Sequence, residues 1–155
     1  MDDDPENVEA LARVLREAFV EGVHAGSEIL VATTVETAVI ALHAPAANGS
    51  PGGIDILVTD LFIPLGPSPR AVLGPRSRKY AQDIEHLGGL VLLDEVDRLS
   101  DPPIVLAHTA CTDPILVQLL GERVHARVRK PAPFEVLLNA IMDVVRERER
   151  AKEWG

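Results

Sequence analysis

Apolar positions along this chain change period several times, and each change marks an element. From Pro5 to Phe19 they fall at Val8, Leu11, Ala12, Val14, Leu15 and Phe19, the spacing of one helix face. Asp4 stands where a cap would, and Pro5 is tolerated in a first turn. The β-branched run Ile29-Leu30-Val31-Ala32-Thr33 predicts a short strand, and Val35 to His43 returns to helical spacing. Pro45 to Gly53 is rich in breakers and predicts a loop. Three further runs read as buried strands: Ile54 to Asp60, Ile104 to Thr109, and Val124 to Lys130. Helical spacing separates and follows them, at Leu87 to Leu99, Asp113 to Gly121 and Pro133 to Lys152. Arg146-Glu147-Arg148-Glu149-Arg150 is charged on every side, so the end of the last helix is expected to project into solvent.

Strand and helix alternate throughout, which predicts a layered α/β fold, a doubly wound parallel sheet. Crossover helices then cover both faces, and each strand can be continuously apolar, as these are. Ligands of such sheets bind in the crevice at the carboxyl ends of the strands. Three of the predicted strands end on residues with chemistry: Asp60, Thr109 and the pair Lys130-Pro131. Asp2-Asp3-Asp4 adds carboxylates at the N-terminus. Carboxylates, a hydroxyl and an ammonium in one crevice suit a divalent cation and a phosphoryl group.

Composition narrows the picture. A chain of 155 residues is one domain's worth and can bury a core. Hydrophobic residues make up 46% but aromatics only 3%, so that core must be built from Leu, Val, Ile and Ala. A net charge of -9 argues against direct nucleic-acid binding, which needs a basic surface. The lone Cys111 excludes an intramolecular disulfide and fits a reducing cytoplasm. No apolar run approaches the length of a membrane span, and an acidic N-terminus is the opposite of a secretory signal.

The order and spacing of Asp2-Asp3-Asp4-Pro5, Val58-Thr59-Asp60-Leu61-Phe62-Ile63-Pro64, His108-Thr109-Ala110 and Arg129-Lys130-Pro131 resemble a response-regulator receiver domain of two-component signalling. The resemblance covers nearly the whole chain. It implies a flavodoxin-like, three-layer α/β domain over 1–155, with 65–86 an inserted loop and 146–155 a charged helical tail. It implies that Asp60 is the phospho-acceptor, taking a phosphoryl group from a histidine kinase or a histidine phosphotransfer protein. Asp2 and Asp3, with Asp60 and the backbone carbonyl of Phe62, would hold Mg²⁺. Lys130 would bring positive charge to the phosphoryl oxygens, and Thr109 would donate its hydroxyl to one of them. Catalysis would be confined to self-phosphorylation and autodephosphorylation, with no metabolite turned over. The resemblance also allows a homodimer through the face nearest Lys130.

Three departures stand against that pattern. A receiver's first strand ends in the acidic pair, yet Met1 directly precedes Asp2; the expectation is a sequence that begins late, Met1 holding the place of that strand's last apolar residue. Arg127 occupies a position where receivers usually carry an aromatic switch residue, and burying an unpaired charge there is costly, so it is expected to stay exposed. Residues 65–86 lengthen the connection after Asp60 by roughly 20 residues. They carry Arg70, Arg76, Arg78 and Lys79, which suggests either a lid or, the reading favoured here, a solvated and partly disordered insertion.

Other functions find less in the sequence. Leu90-Val91-Leu92-Leu93-Asp94-Glu95 looks like the acidic strand motif of ATPases, but no glycine-rich phosphate loop exists and the apolar spacing is helical. His24, His43, His86, His108 and His125 show no metal-ligand spacing. A doubly wound hydrolase therefore ranks low. The main alternative is a pseudo-receiver, a phosphorylation-independent interaction module whose acidic pocket is vestigial.

Overall fold

The computed structural model describes residues 5–23, 28–45, 53–65 and 73–155. Three strands, β1 (Ile56–Thr59), β2 (Ile104–Thr109) and β3 (Ala126–Arg129), form a parallel sheet in that order. The register sets Thr59 beside Ala107 and Thr109 beside Arg129. Helix α1 (Pro5–Leu15) continues as a π-helical segment, Arg16–Val23, four residues past the predicted end at Phe19. Helices α2 (Val35–His43), α3 (Gly88–Val96), α4 (Pro114–Gly121) and α5 (Phe134–Glu153) follow where helical spacing predicted them. The ATPase-like stretch at Leu90 is helix α3, not a strand.

Local chemistry fixes the helix starts. Thr34 and Thr37 form a reciprocal capping box ahead of α2. Asp113 Oδ1 accepts the N–H groups of Ile115 at 2.9 Å and Leu116 at 3.0 Å, with Pro114 in the first turn of α4.

The sheet divides the core in two, because side chains alternate across a strand. Leu57 and Val105 join Val35, Leu42, Leu90, Leu93, Leu116 and Leu120 on the face covered by α2, α3 and α4. Ile56, Val58, Ile104, Leu106 and Val128 join Phe19, Leu137, Ile141 and Val144 on the face of α1 and α5. The fold is thus the expected three-layer, doubly wound α/β architecture of flavodoxin-like type.

Three expectations need correction. Ile29 to Thr33 forms no strand. A parallel strand is stable only within a ladder, and no other strand among the described residues flanks that run; Leu30 is left 54% exposed. The charged end of α5 is not wholly free in solvent, since Arg148 Nη1 donates to the Asp55 carbonyl at 2.7 Å and lies 3.3 Å from its carboxylate. Residues 73–86, expected to be a solvated insertion, are folded into two 3₁₀ turns, Ser77–Tyr80 and Ile84–His86, with Ser77 and Ile84 buried. The first stretch of that insertion, with Arg70, lies outside the described residues, as do Asp2, Asp3 and Asp4.

Candidate functional site at the strand ends

Asp60 follows β1 directly and is only 5% exposed. Its carboxylate is held from two sides. The Phe62 N–H donates to Oδ1 at 3.2 Å, and the Lys130 ammonium donates to Oδ2 at 2.8 Å. Lys130 comes from the far end of the sheet, 70 residues later, just after β3. Between them β2 ends on Thr109, which is 1% exposed. The Lys130 N–H donates to the Thr109 carbonyl at 3.0 Å, and the Thr109 hydroxyl accepts the Cys111 N–H at 3.3 Å. The Lys130–Pro131 peptide is cis. Asp60, Thr109 and Lys130, predicted from sequence as one crevice, thus stand at the ends of successive parallel strands, and two of them are joined by an ion pair.

The acceptor oxygens here are hard ligands. Asp60 and the Phe62 carbonyl offer oxygen donors of the kind a small divalent cation favours. Asp2 and Asp3, which would complete the set, are outside the described residues, and no cluster of three metal-ligating side chains occurs among the described ones. Phe62 itself is 39% exposed at the lip of the crevice. Arg127 is exposed on β3, as expected of an unpaired cation.

Helix α3 begins hard against this segment. The Gly88 N–H donates to the Ile63 carbonyl at 2.8 Å, and the Gly89 N–H to the Leu61 carbonyl at 3.0 Å. A Cβ on Gly89 would stand 2.5 Å from the Asp60 carbonyl oxygen, and one on Gly88 would stand 2.3 Å from that of Ile63. Only glycine allows so close an approach.

A second polar cluster was missed at the level of sequence. Asp94, on α3, is 2% exposed and faces the insertion. Its Oδ2 accepts the Ser77 hydroxyl at 2.6 Å and the Ser77 N–H at 3.0 Å, while Oδ1 accepts the Arg76 N–H at 3.3 Å. One carboxylate thereby caps a 3₁₀ turn that belongs to another element. The Gly74 N–H donates to the Ser77 hydroxyl at 2.9 Å, and a Cβ there would meet the Asp94 carboxyl carbon at 2.5 Å. Arg76 reaches on to Asp97, whose other oxygen accepts Arg123 Nε at 2.7 Å. The available signal was a lone aspartate inside an apolar helix, three residues after Val91 and one after Leu93. From the same turn Tyr80 packs, half-buried, against the core cluster that contains Cys111. Partial burial, then the neighbouring Asp113 and Cys111, raise the pKa of its hydroxyl.

No protein-family model and no curated protein matches the chain. Among solved structures, the chain is similar to the N-terminal domain of an uncharacterized protein (WS1339) from Wolinella succinogenes. That match has a TM-score of 0.63 and 23% identity, over 97% of this chain and 94% of the other. It is also similar to a fusion carrying the trimeric coiled coil of yeast Spc42, residues 181–211. Here the TM-score is 0.63 and identity 17%, over 99% of this chain and 81% of the other. Both likenesses are of fold. No helix among the described residues is long and apolar enough to cross a membrane.

Proposed function

We propose that this chain is a receiver-type signalling module that accepts a phosphoryl group on Asp60. The observation that carries the proposal is the 2.8 Å pair between Lys130 and Asp60 beside the Thr109 strand end. A nearly buried carboxylate with a cation on one oxygen and a backbone N–H on the other has a fixed orientation and a partly neutralised charge.

Phosphoryl transfer asks mainly for positioning and electrostatic stabilisation. An oxygen of Asp60 forms a bond to phosphorus as the P–N bond of a donor phosphohistidine breaks, the electron pair leaving with the imidazole. Lys130 turns its ammonium from the carboxylate to the incoming phosphoryl oxygens, and the Thr109 hydroxyl donates to another. In a separate hydrolytic step water attacks phosphorus, the bond between the Asp60 oxygen and phosphorus breaks, and inorganic phosphate leaves. Mg²⁺ would be held by Asp60, the Phe62 carbonyl, Asp2 and Asp3, and when bound would offset repulsion between carboxylate and phosphoryl charges. The donor would be a histidine kinase or a histidine phosphotransfer protein, and the setting the cytoplasm.

A second reading, a phosphorylation-independent interaction module, draws support from Arg127, exposed where an aromatic switch would lie. Intact-mass measurement after incubation with Mg²⁺ and acetyl phosphate separates the two. A single phosphoryl adduct that is absent from a folded Asp60→Asn variant is the expected result. A folded wild-type chain with no adduct would favour the interaction module.

A further inference from the structure

Helix α3 starts without a side-chain cap, since Leu87 at its head makes no capping hydrogen bond. The first N–H groups of a helix have no partner inside it and must find one elsewhere. Those of Gly88 and Gly89 find the Ile63 carbonyl at 2.8 Å and the Leu61 carbonyl at 3.0 Å. The segment that carries Asp60 therefore also caps α3. Its own carbonyls are used unequally. That of Asp60 accepts the Thr59 hydroxyl at 2.9 Å, and that of Pro64 accepts the Val35 N–H at 3.2 Å. With Leu61 and Ile63 engaged by the two glycines, the Phe62 carbonyl alone in 60–64 accepts no hydrogen bond among the described residues.

Peptide planarity sets which way that oxygen faces. The Ile63 N–H turns back to the Leu61 carbonyl at 3.1 Å, the same oxygen that Gly89 holds. In a trans peptide the C=O and N–H point in opposite directions, and the cis peptide among the described residues is Lys130–Pro131. The Phe62 carbonyl shares its peptide with the Ile63 N–H, so it faces away from the Leu61 oxygen. The Phe62 N–H is meanwhile held by Asp60 Oδ1 at 3.2 Å. Resting on the reading of Asp60 as a metal-assisted acceptor, we propose that Gly88 and Gly89 are positioning residues for the cation: by engaging the carbonyls on either side, they leave that of Phe62 as a fixed oxygen ligand beside the Asp60 carboxylate.

The contact leaves no room for a side chain. A Cβ on Gly89 would stand 2.5 Å from the Asp60 carbonyl oxygen and 2.6 Å from the Leu61 Cα, and one on Gly88 2.3 Å from the Ile63 oxygen. Relief requires α3 and the main chain of 60–63 to part, which carries the Phe62 carbonyl away from its place beside the carboxylate. Leu61 and Ile63 are fully buried, so their side chains keep the segment from sliding along the helix end instead. Neither glycine touches the cation. Both act through the peptide units that they hold, as groups that orient a metal ligand do.

The experiment is an amide NMR titration with Mg²⁺ alone, on wild type, Gly89→Ala and Val144→Ala. Val144→Ala removes buried methyl groups under α5 and serves as a variant destabilised on the other face of the sheet. Affinity for Mg²⁺ should be weaker by about 10-fold or more in folded Gly89→Ala, the usual cost of losing a group that orients a ligand. In Val144→Ala it should stay within about twofold of wild type. Wild-type affinity in folded Gly89→Ala overturns the role of the glycines, and so does an equal loss in Val144→Ala. Should Gly89→Ala fail to fold, hydrogen exchange of the wild type decides. Mg²⁺ at about 100 times its dissociation constant should slow exchange of the Gly88 and Gly89 N–H groups by up to about 100-fold, because binding requires them closed. Slowing at the Ile141 N–H in α5 with none at the two glycines overturns the proposal. Intact mass after acetyl phosphate keeps the underlying reading separate: an adduct on wild type with undiminished affinity in Gly89→Ala leaves Asp60 as acceptor without the glycines. A folded wild type that binds no Mg²⁺ overturns the proposal, and one that also gains no adduct overturns the reading beneath it.

Discussion

The Asp60 carboxylate and the Lys130 ammonium depend on each other unequally. Asp60 has 6% of its side chain exposed and Lys130 has 22%. If Lys130 is shortened, the carboxylate loses this counter-ion and has little access to water. If Asp60 becomes Asn, the shape is retained and the ammonium can swing partly into solvent. Breaking a fully buried pair costs several kcal/mol, and the exposure of Lys130 lowers that figure. Lys130→Ala should therefore lose about 1–3 kcal/mol, while Asp60→Asn should change stability by less than about 1 kcal/mol. Urea unfolding of the two variants gives the comparison, and equal losses would mean that the carboxylate is better hydrated than its burial indicates. The same substitution at Lys130 should slow adduct formation by about 100-fold, since one positioned charge is worth a few kcal/mol in the transition state. A time course of intact mass checks the rate.

At the scale of elements, α3 shows how a propensity rule can reverse with position. Glycine inside a helix costs up to about 1 kcal/mol relative to alanine. At Gly121, the last residue of α4, an added Cβ meets nothing within 4 Å, and Gly121→Ala should stabilise by about 0.5 kcal/mol. At Gly89 the Cβ would stand 2.5 Å from the Asp60 carbonyl and 2.6 Å from the Leu61 Cα, both main-chain atoms that cannot swing aside. Overpacking of that kind costs about 1–3 kcal/mol, so Gly89→Ala should destabilise despite its helix propensity. Thermal unfolding of both variants should move in opposite directions.

The helices were legible in the sequence because each carries enough turns of 3.6-residue spacing to outweigh local ambiguity. That is why α3 could be told from an ATPase strand before any geometry was known. Asp60, Thr109 and Lys130 were legible for a different reason, each closing an apolar run that reads as a buried strand. The failures are equally physical. Ile29 to Thr33 has strand composition, but a strand is a relation between two segments and composition describes only one. The folded part of the insertion escaped because its order rests on Asp94 and Ser77, single residues whose pairing across 17 positions leaves no period to read.

The molecule as a whole is tied together across its α2–α3–α4 side by a charge chain that no single element contains. Arg76 from the insertion and Arg123 from the turn after α4 both reach Asp97, just beyond α3. Partial burial would raise the Asp97 pKa, but the hydrogen bonds and charges of the two arginines outweigh it and hold the carboxyl below its ordinary value of 3.8. A carboxyl with a depressed folded-state pKa contributes stability that is fully present above its unfolded value. That contribution is lost as pH falls through the folded value, here below about 3.8. At neutral pH Asp97→Asn should therefore be the less stable protein, by no more than about 1 kcal/mol because the group is 40% exposed. The difference between wild type and variant should hold from pH 7 to about pH 5, then narrow toward zero in acid. Titrating other carboxylates affects both proteins alike, so the difference isolates Asp97. Raising salt at pH 7 should shrink the same difference, since a pair whose carboxylate is partly exposed is screened. Denaturant unfolding at several pH values would test this, and a difference that widened in acid would mean that desolvation, not the two arginines, governs Asp97.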